Sequence, residues 1–234
     1  VFLLGILFLV SLVASADGES FSLAAKECFS FENAKQPWKY CIYRPAQQTV
    51  NGDIAYMFHG LNLDENVWND EKYYTSMVQR YWFEHKISPP TVVTVSYGPF
   101  WVLTKPGKLS SSGLLDTFIN EVIPLVESKL GKPRKRIVFG ESMGGLNSLA
   151  LGLSSWSMFS KVASLCPPVY KATPFDSEAE IQDLISRTGA DPKLIRAVLE
   201  MARYVFADKA EWGAFSPVNL IENFPQKGGP KLYL

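Results

Sequence analysis

Short apolar runs alternate with longer segments of helical periodicity along most of the chain. The runs at 38–43 and 53–58 predict two neighbouring strands, because turn-forming residues at 45–52 separate them. A polar, aromatic-rich segment at 65–86 predicts a helix, and the β-branched run at 91–95 predicts a buried strand. The order of elements is therefore β, β, α, β up to this point.

The alternation continues through the middle of the chain. Apolar positions recur at helical spacing over 114–130, where Pro124 is expected to bend the helix. Strands are predicted at 136–139 and 161–166, with a helix between them, and 231–234 opens another strand. Alternating strands and helices predict an α/β fold with a mostly parallel sheet and helices on both faces.

The pattern changes between about 168 and 228. Ser177 and Glu180 have the spacing of a capping box, and Asp191 followed by Pro192 is typical of the start of a second helix. That second helix carries one apolar stripe, which requires an apolar partner. We therefore predict a helical cap at about 168–228, inserted over the carboxyl-terminal edge of the sheet.

The first residues have the composition of a secretory signal peptide. An apolar run at 1–13 is followed by small residues up to Ala16, and it is too short to span a membrane as it stands. We interpret 1–16 as the remnant of a signal peptide and 17–234 as the folded domain, and expect a secreted or periplasmic protein without a stable membrane anchor.

Export would permit a disulfide bond, and Cys28 and Cys41 are close enough in sequence to form one, although the sequence leaves their pairing open. Cys166 ends an apolar run, which predicts a buried, unreactive thiol.

Composition narrows the class of partner. The 234 residues are 47% hydrophobic, which is enough for one sizeable core, and 23 basic residues balance 23 acidic ones. Since no basic cluster is present, nucleic acid is not an expected partner. The sequence contains no metal-ligand cluster, phosphate-binding loop or dinucleotide fingerprint, so no cofactor is expected. The oligomeric state stays open.

One motif carries the candidate chemistry. Residues 140–144 read Gly-Glu-Ser-Met-Gly, a G-x-S-x-G pattern placed directly between a predicted strand and a predicted helix. Gly140 and Gly144 would allow the tight turn that exposes Ser142 as a nucleophile, and the N–H of Met143 would face a developing oxyanion. The alternative is a serine that caps the helix in an ordinary loop.

Two further segments are candidates for the same site. The strand at 53–58 is followed by His59-Gly60, so the N–H of Leu61 is the favoured second oxyanion donor and that of Gly60 the second choice. The alternative is a turn without a chemical role. Tyr97, Phe100 and Trp101 follow the strand at 91–95, where ligands gather in α/β folds. These aromatic residues are predicted either to bind substrate or to belong to the core beneath the cap.

The segments 59–61, 118–124 and 140–145 together resemble the esterase D-like branch of the α/β-hydrolases. This branch includes S-formylglutathione hydrolases, feruloyl and acetylxylan esterases, and mycolyltransferases. The resemblance implies an α/β-hydrolase fold and a serine carboxylesterase that acts through an acyl-Ser142 intermediate, but it does not specify the substrate. Export indicates an ester outside the cytoplasm, either a small molecule or a polysaccharide-linked ester.

The resemblance also implies the chain order nucleophile, acid, histidine. Both histidines, His59 and His85, precede Ser142, so the acid and the catalytic histidine are expected beyond residue 234. A domain truncated in this way is expected to be nearly inactive as given. Two alternatives stay open, namely acyl transfer at the same site and a non-catalytic binding domain that retains the hydrolase fold.

Overall fold

The computed structural model describes residues 20–33, 36–97, 113–225 and 227–234. Its centre is a seven-stranded sheet in the order β1-β2-β4-β3-β5-β6-β7. The first two strands run antiparallel to their neighbours, and β4, β3, β5, β6 and β7 are mutually parallel. The strands are β1 Ala25–Asn33, β2 Gln36–Arg44, β3 Ile54–Phe58, β4 Thr91–Ser96, β5 Arg136–Glu141, β6 Lys161–Leu165 and β7 Lys231–Tyr233.

The strand order corrects one prediction made from the sequence. β2 and β3 are not neighbours, because β4 lies between them and pairs with both. The antiparallel pairing of β2 with β4 places Ile42 opposite Val93, so the apolar face of β2 still meets the core. β1 was not predicted from the sequence, because it is an edge strand in which exposed polar residues interrupt the apolar pattern.

Helices cover both faces of the sheet, as predicted. One long helical segment begins as α2, continues as a π-helical turn at Phe118–Val122 and ends as α3, and this wider turn lies directly before Pro124, which has no N–H to donate. The α-helices are α1 Tyr74–Glu84, α2 Leu114–Thr117, α3 Ile123–Leu130, α4 Met143–Ser154, α5 Glu178–Thr188, α6 Pro192–Val205, α7 Lys209–Phe215 and α8 Pro217–Leu220; 3₁₀ turns are at Val67–Asn69, Trp156–Met158 and Ile221–Asn223. No helix in these ranges is long and apolar enough to cross a membrane.

Side chains of the central strands point alternately to the two faces of the sheet and form one apolar cluster on each face. Tyr56 and Phe58 of β3 pack with the α2–α3 segment, whereas Ala55 and Met57 of the same strand pack around Trp68 on the opposite face. Each of these strand residues is no more than 3% exposed. The sheet is therefore buried on both faces, which is the reason for its nearly continuous apolar strands.

The helices of the predicted cap pack against α4. Both predicted helix starts are present, since Ser177 and Glu180 form a capping box and Asp191 caps α6. Val198 and Ala202 of α6 and Trp212 of α7 form one apolar cluster with Met143 and with Leu146 and Ala150. The inserted helices thus cover the helix that follows Ser142. The domain boundaries that we assign, 1–16, 17–234 and 168–228, stay predictions.

Candidate active site

Four parallel strands end at the same edge of the sheet and present the candidate residues there. His59 follows β3, Tyr97 follows β4, Ser142 follows β5 and Cys166 follows β6. Because carboxyl ends of parallel strands share one edge, segments that are distant in sequence become neighbours.

Ser142 occupies the turn between β5 and α4 in a strained backbone conformation. Its φ of 49° and ψ of −117° lie in a region that non-glycine residues rarely adopt, and the residue is exposed. Its N–H donates to the carbonyl oxygen of Leu165 at 2.8 Å, which ties the turn to the end of β6. An exposed serine in a strained strand-to-helix turn has the geometry predicted for a nucleophile.

Two glycines make this turn possible. A Cβ atom on Gly144 would lie 1.9 Å from the carbonyl oxygen of Phe58, and one on Gly140 would lie 2.5 Å from the same oxygen. Both clashes involve backbone atoms, which cannot move aside as a flexible side chain can. The glycines therefore allow α4 to start in direct contact with the end of β3.

The first candidate oxyanion donor is the N–H of Met143, the first residue of α4. Within the described residues this N–H has no hydrogen-bond acceptor, as is usual for the first turn of a helix. The Met143 side chain is only 6% exposed and packs under α6 and α7. The donor is consequently held on a rigid helix start, where the helix dipole favours negative charge.

The second candidate donor belongs to the peptide unit between Gly60 and Leu61. The Gly60 carbonyl oxygen accepts two bonds, from His59 Nδ1 at 2.9 Å and from the Leu63 N–H at 3.2 Å. Since a trans peptide points its N–H opposite to its C=O, these bonds also fix the direction of the Leu61 N–H. No acceptor for that N–H occurs among the described residues, and the Leu61 side chain is 50% exposed.

His59 is a neutral, buried ring with both nitrogens engaged. Burial lowers its pKa below the usual value for histidine, although the Gly60 carbonyl and the nearby Asp64 and Glu65 act in the opposite direction. A carbonyl oxygen can only accept, so Nδ1 carries the proton and Nε2 accepts from Ser96 Oγ at 2.9 Å. This arrangement suits a role in orienting the loop after β3 rather than in proton transfer.

Tyr97 packs in the core, but in the apolar cluster with Phe58 and Phe118 rather than in the cluster that the cap helices form. Its ring is 2% exposed, and its hydroxyl accepts a bond from Asn147 Nδ2 at 2.8 Å. Burial raises the Tyr97 pKa well above its usual value. Tyr97 therefore exposes almost no surface to solvent. Phe100 and Trp101 lie outside the described residues.

Cys166 corrects another prediction, because it is exposed rather than buried. β6 ends at Leu165, one residue earlier than predicted, and Cys166 turns away with a φ of 46°. The apolar run therefore ends at the sheet edge instead of continuing into the core.

Glu141 was not singled out from the sequence, although it directly precedes Ser142. Its carboxyl is partly buried, and this burial raises its pKa. A Cβ atom on Gly60 would lie 2.7 Å from Glu141 Oε1, so the carboxyl covers the candidate oxyanion loop. Its position inside the G-x-S-x-G motif is the only sequence signal that could have indicated it.

An open, polar cleft of about 450 Å³ lies beside the same loop. Its lining comes from the segment that follows the loop and from β1: Lys26, Asn62, Leu63, Asp64, Asn66, Val67, Asn69 and Asp70. Side chains of this kind can exchange hydrogen bonds with hydroxyl groups.

Comparison with known proteins agrees with this geometry. The model of a family described as "Putative esterase" matches residues 32–229. Among curated proteins, none matches the sequence significantly.

Solved structures share the fold. An S-formylglutathione hydrolase from Agrobacterium tumefaciens is 15% identical with a TM-score of 0.57, and the match covers 92% of this chain and 76% of that one. An S-formylglutathione hydrolase from Staphylococcus aureus is 18% identical, with a TM-score of 0.56 and coverages of 90% and 78%. A ferulic acid esterase is 16% identical, with a TM-score of 0.50 and coverages of 83% and 76%. The shared sheet shows the α/β-hydrolase fold, and the family match over most of the chain establishes that this protein belongs to the family described as "Putative esterase".

Proposed function

We propose that the protein is a serine carboxylesterase that acts through an acyl-Ser142 intermediate. The observation that carries the proposal is the exposed, strained Ser142 at the sheet edge that also holds two backbone N–H groups, those of Leu61 and Met143, which have no acceptor among the described residues. Such a pair of donors would stabilise a tetrahedral oxyanion, and each donor would lower the activation barrier by about 3 kcal/mol.

The reaction divides into two balanced steps. Ser142 Oγ bonds to the ester carbonyl carbon, its proton passes through a general base to the departing alkoxide, and the carbon–oxygen bond to the alcohol breaks. Water then attacks the acyl-serine, which releases the acid and restores the serine hydroxyl. The family resemblance implies a histidine later than Ser142 as the base. His59 is already engaged, and His85 ends α1, which runs towards the opposite edge of the sheet.

We also propose that the protein is exported from the cytoplasm. The disulfide bond between Cys28 and Cys41 supports it, because such bonds persist mainly in oxidising compartments. The signal peptide assigned to 1–16 lies outside the described residues. The polar cleft at 62–70 supports an ester whose alcohol carries hydroxyl groups, either a small molecule or an acylated polysaccharide.

A fluorophosphonate probe tests the nucleophile in the enzyme expressed from its complete coding sequence. The probe should label the wild type and should not label Ser142→Ala. Ser128→Ala is the matched control, because Ser128 is an exposed serine on α3 and its loss should leave labelling unchanged. Equal labelling of the wild type and Ser142→Ala would exclude Ser142 as the nucleophile. Product analysis with added alcohols then separates hydrolysis from acyl transfer.

A further inference from the structure

The carboxyl group of Glu141 reaches from the end of β5 across to the loop after β3. An added Cβ on Gly60 would meet Glu141 Oε1 at 2.7 Å, and the next contact, with Leu63 Cδ1, would be at an ordinary 3.6 Å. Glu141 is therefore the neighbour that fills the space where residue 60 lacks a side chain.

No ion pair or hydrogen bond within the described residues accounts for this position. Glu141 has no such partner there, and desolvation is the only cause of its raised pKa. Partial burial of a carboxyl group without a partner is unfavourable. This side chain lies directly before Ser142 and against the loop after β3, which favours a role in the site.

The contact adds a third restraint to the Gly60–Leu61 peptide. Hydrogen bonds from His59 and Leu63 hold its carbonyl oxygen. They do not restrain the α-carbon of Gly60 on the side where another residue would carry its Cβ atom. Glu141 lies on that side. Glycine permits easy rotation of the Gly60–Leu61 peptide. Here such a rotation would push Gly60 against the Glu141 carboxyl group.

We infer that Glu141 is a positioning residue, whose carboxyl group packs on Gly60 and thereby holds the Leu61 N–H towards the oxyanion. This inference rests on the proposed esterase function. Glu141 acts through the loop and makes no bond to substrate. Its contribution comes from the shape of the carboxyl group, so glutamine should replace it and alanine should not.

The test measures kcat and KM on a small aryl ester with the enzyme from its complete coding sequence. Glu141→Ala should lower kcat by about tenfold with KM changed less than about twofold, because a displaced donor weakens transition-state binding selectively. Glu141→Gln should stay within about threefold of the wild type. Glu84→Ala, an exposed glutamate at the end of α1, should behave as the wild type.

A double-mutant cycle with Gly60 isolates the contact. Gly60→Ala places a methyl group where the carboxyl lies and should also lower kcat by about tenfold. The double variant Gly60→Ala/Glu141→Ala should lose about tenfold rather than about a hundredfold, because both changes disrupt one contact. Affinity for an aryl boronic acid, which forms a tetrahedral adduct with the serine, should fall in parallel with kcat.

Three results would overturn the inference: unchanged kcat in Glu141→Ala, an equal loss in Glu141→Gln, or a multiplicative loss in the double variant. If Glu141→Ala does not fold, Glu141→Gln and Gly60→Ala still decide it. Failure of the esterase proposal is recognised separately, by fluorophosphonate labelling of Ser142→Ala. If labelling requires Ser142 and the Glu141 variants behave as the wild type, only the positioning role is refuted.

Discussion

Burial fixes the protonation state of His59, the residue that orients the loop after β3. The ring is 8% exposed, and its neutral form satisfies Gly60 on one side and Ser96 on the other. A second proton would convert Nε2 from an acceptor into a donor and place a charge in the interior. Lowering the pH should therefore disturb the loop after β3 through protonation of His59.

We predict that the free energy of unfolding falls as the pH drops below about 6.5, the usual pKa of histidine. Because the folded pKa of His59 is lowered, the unfolded state binds the proton first, and the stability present at higher pH is lost. The slope from one such group reaches at most about 1.4 kcal/mol per pH unit. Urea unfolding at several pH values would measure it. The slope should diminish in His59→Gln and persist in His85→Gln, whose histidine is exposed.

Single residues were predictable from sequence where backbone geometry restricts the choice. Gly140, Ser142 and Gly144 occupy the turn that their spacing indicated. The contact between Glu141 and Gly60 was not predictable, since 81 positions separate the two residues and no local pattern connects them. Tyr97 shows the same limit, because an aromatic residue at a sheet edge fits both a core and a binding surface.

At the scale of elements, the helix after Ser142 depends on packing from the inserted helices. Its first turn is glycine-rich, and Met143, Leu146 and Ala150 share one apolar cluster with residues of α6 and α7. Periodicity predicted α6 well, since its apolar residues form one stripe. α4 was also predicted, although it is buried on all sides. The pairing of β2 was wrong because strand order depends on contacts across the whole sheet, and neighbours in sequence need not be neighbours in space.

We predict that Trp212→Ala lowers the free energy of unfolding by about 3 kcal/mol or more, as expected for removal of a large buried ring. Trp212 is 4% exposed and packs edge-on against Phe206 at 5.2 Å between ring centres. Trp156→Ala is the control, because that ring is 39% exposed and its loss should cost less than about 1 kcal/mol. Denaturant titration monitored by circular dichroism gives both values; equal losses would refute the role of the cluster.

For the whole molecule, the disulfide bond joins the outermost strand to the rest of the sheet. Cys28 and Cys41 are opposite each other in the register of β1 and β2, with α-carbons 4.1 Å apart. Sequence reasoning left this pairing open. The structure decides it, since cross-strand register is set by the folded sheet.

Reduction should consequently destabilise the entire fold. For a loop of this length, we expect Cys28→Ser/Cys41→Ser to lose about 3 kcal/mol, with the same shift produced by a thiol reductant in the wild type. Cys166→Ser should leave the unfolding midpoint unchanged, because Cys166 is free and exposed. An unfolding midpoint of the wild type that does not change when reductant is added would contradict the prediction.

The exposed Cys166 gives the protein a natural attachment point. Of its three cysteines two form the disulfide, so a maleimide dye should react at one position without any engineering. That position is next to Leu165, which holds the Ser142 backbone. A fluorophore attached there would sit beside the Ser142 turn, where its emission would report in real time on binding at the proposed site.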